Sequence, residues 1–95
     1  MTDKIYENDI GTEIKLDSGE DLTGYTVLEI HYLKPNGTEG VWQASQVETT
    51  KGRYITTTSG DLSPNGTWLV KLKLAIPDWS GYGETVEMRV YEKWT

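Results

Sequence analysis

The feature that most constrains this chain is the recurrence of apolar residues at every second position. Ile14 and Leu16 alternate with Glu13, Lys15 and Asp17, and Leu28, Ile30 and Tyr32 alternate with Glu29 and His31. Trp68, Val70, Leu72, Leu74 and Ile76 alternate with Leu69, Lys71, Lys73 and Ala75. Val86, Met88 and Val90 alternate with Glu87, Arg89 and Tyr91. Successive side chains on a strand point to opposite faces, so each run predicts a strand with one face buried and one wet. No long window repeats at the helical period of about 3.6 residues. Alanine occurs only at Ala44 and Ala75, while Thr, Val, Ile, Tyr and Trp are abundant. The fold class read from this pattern is all-β.

Turn chemistry separates the runs. Pro-Asn-Gly-Thr occurs twice, at Pro35 to Thr38 and at Pro64 to Thr67. Proline presets φ at the first corner of a turn, and Asn and Gly tolerate the left-handed region that follows. The flanks of the two copies do not align, so they read as two independent uses of a good turn. Further breaks fall at Ser18-Gly19-Glu20-Asp21, Lys51-Gly52 and Ser59-Gly60-Asp61. Together these predict about seven strands, at 3–7, 12–17, 25–33, 39–47, 53–58, 67–76 and 84–92, in a single domain spanning 1–95. Turn signals every eight to twelve residues or so suggest a two-sheet antiparallel sandwich, with an open barrel as the alternative. The expected core is Ile14, Leu16, Leu28, Ile30, Trp42, Trp68, Val70, Leu72, Val86, Met88 and Val90. The stretch from Asp61 to Val70 also leads into its strand much as immunoglobulin-like domains lead into their penultimate strand. There a tyrosine hydroxyl bonds back to upstream backbone. Here the aromatic is Trp68, whose indole donates a hydrogen bond but cannot accept one.

Composition narrows the functional classes. A 95-residue chain has room for one core and little for a deep cleft. With no cysteine, neither a disulfide framework nor a thiolate metal site is available, which favours a reducing compartment or a multimeric assembly. The segment Met1 to Tyr6 runs straight into the alternating pattern without the basic and apolar regions of a signal peptide, so synthesis in the cytoplasm of the producing cell is expected. The apolar-rich run Trp68 to Ile76 is interrupted by Lys71 and Lys73 and is too short to span a bilayer. Nine basic residues against fifteen acidic ones give a formal net charge of −6. Such a surface repels phosphate, so neither nucleic acid nor an anionic membrane is an expected partner.

Catalytic constellations are scarce. His31 is the only histidine, on the face opposite Leu28 and Ile30 and beside Glu29, where a structural role is expected. A zinc site needs three or four ligands and a nucleophile needs an oriented base, and one histidine without cysteine supplies neither. Most acids lie at turns (Asp17, Glu20, Asp21, Asp61, Asp78) or on wet faces (Glu13, Glu29, Glu87), without calcium-loop spacing. Asn36-Gly37-Thr38 and Asn65-Gly66-Thr67 match the glycosylation pattern but are equally good turn sequence. No catalytic residue, metal or cofactor is expected.

The aromatic residues carry the remaining signal. Four Trp, six Tyr and no Phe mean that every ring has a polar handle, which suits half-wet positions and interfaces. Trp42 and Trp68 read as core. Trp79 and Tyr82 fall in the predicted loop Pro77 to Glu84, and Tyr91 and Trp94 at the C-terminal edge. These four are the candidate binding residues. Trp79 closing the open end of the core, a contact with a neighbouring subunit, and stacking on a sugar are the three uses the set allows.

One resemblance covers nearly the whole chain. The segments Lys4 to Ile14, Leu33 to Thr38 and Val41 to Ala44 recur in order in short phage and prophage proteins, as do Gly60-Asp61-Leu62, Gly66-Thr67-Trp68, Trp79-Ser80-Gly81 and Gly83 to Val86. The pattern resembles the immunoglobulin-like domains of tailed-phage virion proteins, related to the N-terminal domain of baseplate upper proteins. The resemblance implies an immunoglobulin-like sandwich with no catalytic residues. It implies a structural or adhesive virion component, multicopy or oligomeric, docked on capsid, neck, tail or baseplate subunits. The chain stops at Thr95, where baseplate proteins continue, which favours a small decoration or adaptor protein. A carbohydrate-binding module that holds host-surface glycans through the exposed Trp and Tyr residues is the alternative.

Overall fold

The computed structural model describes residues 5–94, all strand, turn or irregular backbone with no helix. Among the described residues nine strands form: β1 (Ile5–Tyr6), β2 (Glu13–Asp17), β3 (Val27–Leu33), β4 (Glu39–Gln43), β5 (Ser45–Glu48), β6 (Lys51–Ile55), β7 (Gly66–Ile76), β8 (Trp79–Tyr82) and β9 (Val86–Tyr91). They make two sheets. The larger runs β1-β9-β7-β3-β4, with β8 also on β7, and the smaller runs β2-β6-β5. All pairings are antiparallel except β1 with β9. The first residues of the strand expected at 3–7 lie outside the described residues.

The two strands beyond the expected seven have simple causes. The run 39–47 divides because the chain changes sheets at Ala44. Gln43 still faces Glu29 in the larger sheet, while Ser45 already faces Arg53 in the smaller one. The Ala44 amide donates to the Leu28 carbonyl at 3.0 Å, so the larger sheet curls into the smaller across this one residue. The second extra strand is β8, which forms where a loop was expected. Trp79 faces Ile76 and Tyr82 faces Lys73 across a tight turn. Beyond it, Val86 faces Val70, so Gly83, Glu84 and Thr85 stand against only Leu72 and Lys71. That is a bulge, with the Gly83 amide held on the Leu72 carbonyl at 2.8 Å, and it joins β8 and β9 along one side of β7.

The core draws on both sheets. Ile14, Leu28, Ile30, Trp42, Trp68, Val70, Leu72, Met88 and Val90 are buried as their parity requires, and Leu74 joins them. Leu16 is only partly buried at the margin. Val86 departs from expectation: it shares the inner face with Met88 and Val90 but is 44% exposed. It is the first residue of β9, directly after the bulge. Conversely, Leu22 and Leu62 belong to no periodic run yet are fully buried, each contributing roughly 1.5–3 kcal/mol of burial. Trp42 links the layers, with its ring stacked on Tyr54 of β6 at 5.0 Å and near Trp68 of β7 at 5.9 Å.

The lead-in to β7 is fastened by side chains. The Asp61 carboxylate accepts from the Thr57 and Thr58 amides at 2.8 and 3.2 Å and from the Tyr54 hydroxyl at 2.9 Å. The Trp68 indole donates to the Pro64 carbonyl at 2.9 Å. A carbonyl acceptor needs only a donor, so the indole closes this corner despite having no lone pair to offer.

Candidate functional site

The four candidate aromatics are placed apart. Tyr82 faces Lys73, and Lys73 is on the outer face of β7, so Tyr82 is outside the larger sheet. Trp79 faces Ile76, which has core parity, and its ring lies across Gly81 at the open margin of that inner face, 44% exposed. Tyr91 is on the outer face at the far end of β9, its ring 6.3 Å from Tyr6 and 5.7 Å from the Arg89 guanidinium. About eight residues of strand separate the levels of Tyr82 and Tyr91, or roughly 27 Å at strand rise. Trp94 follows the last strand, 86% exposed, with the Lys93 ammonium 4.9 Å above it. These rings do not assemble into one flat platform.

Tyr82 does border a site. A shallow groove of about 640 Å³ runs over the outer face of β3, β4 and β7, floored by Leu33, Val41 and Leu69 and flanked by His31, Lys71 and Tyr82. Register explains the grouping. Leu33 and Leu69 are direct cross-strand partners, and His31 stands between Val41 on β4 and Lys71 on β7. Leu33, Leu69, Val41 and Tyr82 are 36%, 37%, 45% and 50% exposed, so four exposed apolar or aromatic side chains share this outer face with His31 and Lys71.

The polar margin of the groove is ordered. His31 Nε2 lies 3.1 Å from Glu29 Oε1, and Gln43 Nε2 donates to Glu29 Oε2 at 3.1 Å. The His31 and Gln43 contacts, with Lys73 nearby, hold the Glu29 carboxyl below the usual carboxylate range. The His31 ring meets Tyr82 edge-on at 5.4 Å, and the Lys71 ammonium sits 4.6 Å from the Tyr82 ring centre. Among the described residues Lys71 and Lys73 form no ion pair; both lie against Tyr82.

The outer face of the smaller sheet is different in kind. Lys15 and Lys51 share Glu48, each at 3.4 Å, and Arg53 meets Glu13 at 3.0 Å. Exposed pairs of this sort add little stability, but they satisfy the charges and leave a hydrated surface. The turn acids are used locally: Asp17 caps the Gly19 amide, and Asp21 the Thr23 amide and hydroxyl. Among the described residues no three His, Asp or Glu side chains converge on a metal-sized site.

Reading the aromatics alone misses the aliphatic floor of this groove. The signal was present: Leu33, Val41 and Leu69 occupy outward positions where the alternation calls for polar residues. One such exception is ordinary, but three on adjacent strands make a patch, and only the strand order shows that they are adjacent. Comparison with known proteins finds no family model, no curated protein and no solved structure that matches this chain.

Proposed function

We propose that this chain is a non-enzymatic, immunoglobulin-like structural protein of a phage or prophage particle, docking on other virion subunits through the outer face of its larger sheet. The observation that carries the docking is the set Leu33, Val41, Leu69 and Tyr82, exposed on one sheet of a chain whose other sheet is laced with ion pairs. Exposed apolar surface gathered in one place marks an interaction site. The strand order supports the immunoglobulin-like reading. A five-strand path with a parallel first-to-last pairing, facing a three-strand sheet with the second strand at its edge, is compatible with that sandwich plan. The virion assignment rests on the sequence resemblance. Many copies on a symmetric particle would let weak single contacts sum.

Particles purified from a producing strain supply the test. The protein should co-sediment with them and occupy a repeated position in a reconstruction, with the Leu33/Leu69 face turned to a neighbouring subunit. Its absence from particles would overturn the virion reading, and a repeated position with that face in solvent would overturn the docking face.

A further inference from the structure

We infer that Asn36 is a site of spontaneous, self-timed deamidation in the folded protein and that Asn65, in the same tetrapeptide, is protected by the fold. The chemistry belongs to Asn-Gly. With no Cβ on the following residue, its backbone nitrogen can approach the Asn side chain. The Gly37 nitrogen attacks Asn36 Cγ, the side-chain nitrogen leaves as ammonia, and a five-membered succinimide forms. Water then opens the ring at either carbonyl, giving aspartate or isoaspartate and one additional negative charge.

Both asparagines are exposed, and the two copies differ in what holds their side-chain amides and their neighbours. Asn36, Gly37 and Thr38 are all exposed at the tip joining β3 to β4. Asn36 Oδ1 accepts the Thr38 amide at 3.0 Å, which polarises the carbonyl to be attacked and leaves the departing amide nitrogen free. The Gly37 amide bonds the Lys34 carbonyl at 2.9 Å, but this contact is at a hairpin tip, where local opening is cheap. At the second copy the departing nitrogen is the engaged atom, Asn65 Nδ2 donating to Glu7 Oε2 at 3.3 Å. Its neighbours are anchored as well. Leu62 is fully buried, the Pro64 carbonyl holds the Trp68 indole, and Gly66 opens β7 opposite Val90. Gly66 has φ of +131° and lies so close to Pro35 that an added Cβ would stand 2.6 Å from its Cγ. Closing the ring at Asn65 must break its bond to Glu7 within a segment anchored at Leu62, Pro64 and Gly66.

Because the tetrapeptides are identical, each is the control for the other. The full chain is incubated at mildly alkaline pH and the two peptides are followed by mass spectrometry and isoaspartate detection. Asn36 should convert at least about tenfold faster than Asn65, the difference reflecting local opening. In denaturant the two rates should converge. Equal rates in the folded chain, a faster Asn65, or a difference that persists in denaturant would each overturn the proposal. Glu7→Gln, which keeps the fold but removes the charged acceptor, should speed Asn65 and leave Asn36 unchanged; no change at Asn65 would remove Glu7 from the explanation and count against it.

Discussion

The Trp68 indole nitrogen stands 2.9 Å from the carbonyl oxygen of Pro64, four residues upstream, while the ring itself is completely buried. Burial and hydrogen bond can be separated by substitution. Trp68→Ala removes both and should destabilise the domain by about 3–5 kcal/mol, enough to unfold a chain this small. Trp68→Phe keeps most of the apolar contact but strands a carbonyl, at about 1–3 kcal/mol. Denaturant unfolding followed by circular dichroism would distinguish them, and a phenylalanine variant as damaged as the alanine one would deny the bond any separate role.

Asp61 gives the domain a defined acid response. Burial opposes its ionisation, but the Thr57 and Thr58 amides and the Tyr54 hydroxyl outweigh it, so its folded pKa lies below the ordinary carboxylate value. A depressed folded pKa stabilises the fold above the unfolded pKa, and that contribution is lost as pH falls through the folded value. The stability gap between the native chain and Asp61→Asn should therefore be widest near neutral pH and narrow in acid. A gap that stays constant down the acid limb would contradict this. Tyr54→Phe should cost about 1 kcal/mol at neutral pH in the same unfolding assay.

How much of this was legible depends on where each residue's environment is decided. Parity alone places Ile30, Val70 and Met88, because alternation is local and its consequence is burial. Leu22 and Leu62 escape it, since loop residues that plug a core have no period to betray them. Ala44 and the bulge at Gly83 to Thr85 escape for another reason. Both depend on which strand lies opposite, and a run of β-forming residues reads the same whether it stays in one sheet or leaves it. The groove was half legible: Tyr82 stands out as an exposed aromatic, whereas Leu33 and Leu69 become a pair only through the β3–β7 register.

Gly40 supplies a prediction of opposite sign from the usual one. Replacing glycine by alanine in an ordinary strand stabilises it, because glycine has more backbone freedom to lose. At Gly40 the Tyr32 phenol ring lies over the α-carbon, in the space a Cβ would take. Gly40→Ala must push that ring off Trp42, with which it packs at 4.5 Å, and should cost about 1–3 kcal/mol. In a Tyr32→Ala background the penalty should disappear, since the two residues are coupled through that one contact. Thermal unfolding of the four proteins closes the cycle, and additive effects would refute the coupling.

The groove can be tested without disturbing the fold, because its floor is exposed. Val41 on β4 and Ile55 on β6 are 45% and 42% exposed aliphatics in outward register positions of the two different sheets. Lysine at either position buries no charge, so Val41→Lys and Ile55→Lys should each change stability by less than about 0.5 kcal/mol. Under the proposed virion role, their effects on assembly should differ. Val41→Lys places an ammonium group on the outer face with Leu33 and Leu69, where a docked subunit would have to desolvate it, and should remove the protein from particles. Ile55→Lys adds one more charge to a face already carrying Glu13 and Arg53 and should leave incorporation intact. Quantifying each variant in purified particles gives the answer, and loss of the Ile55→Lys variant with retention of Val41→Lys would move the docking surface to the smaller sheet.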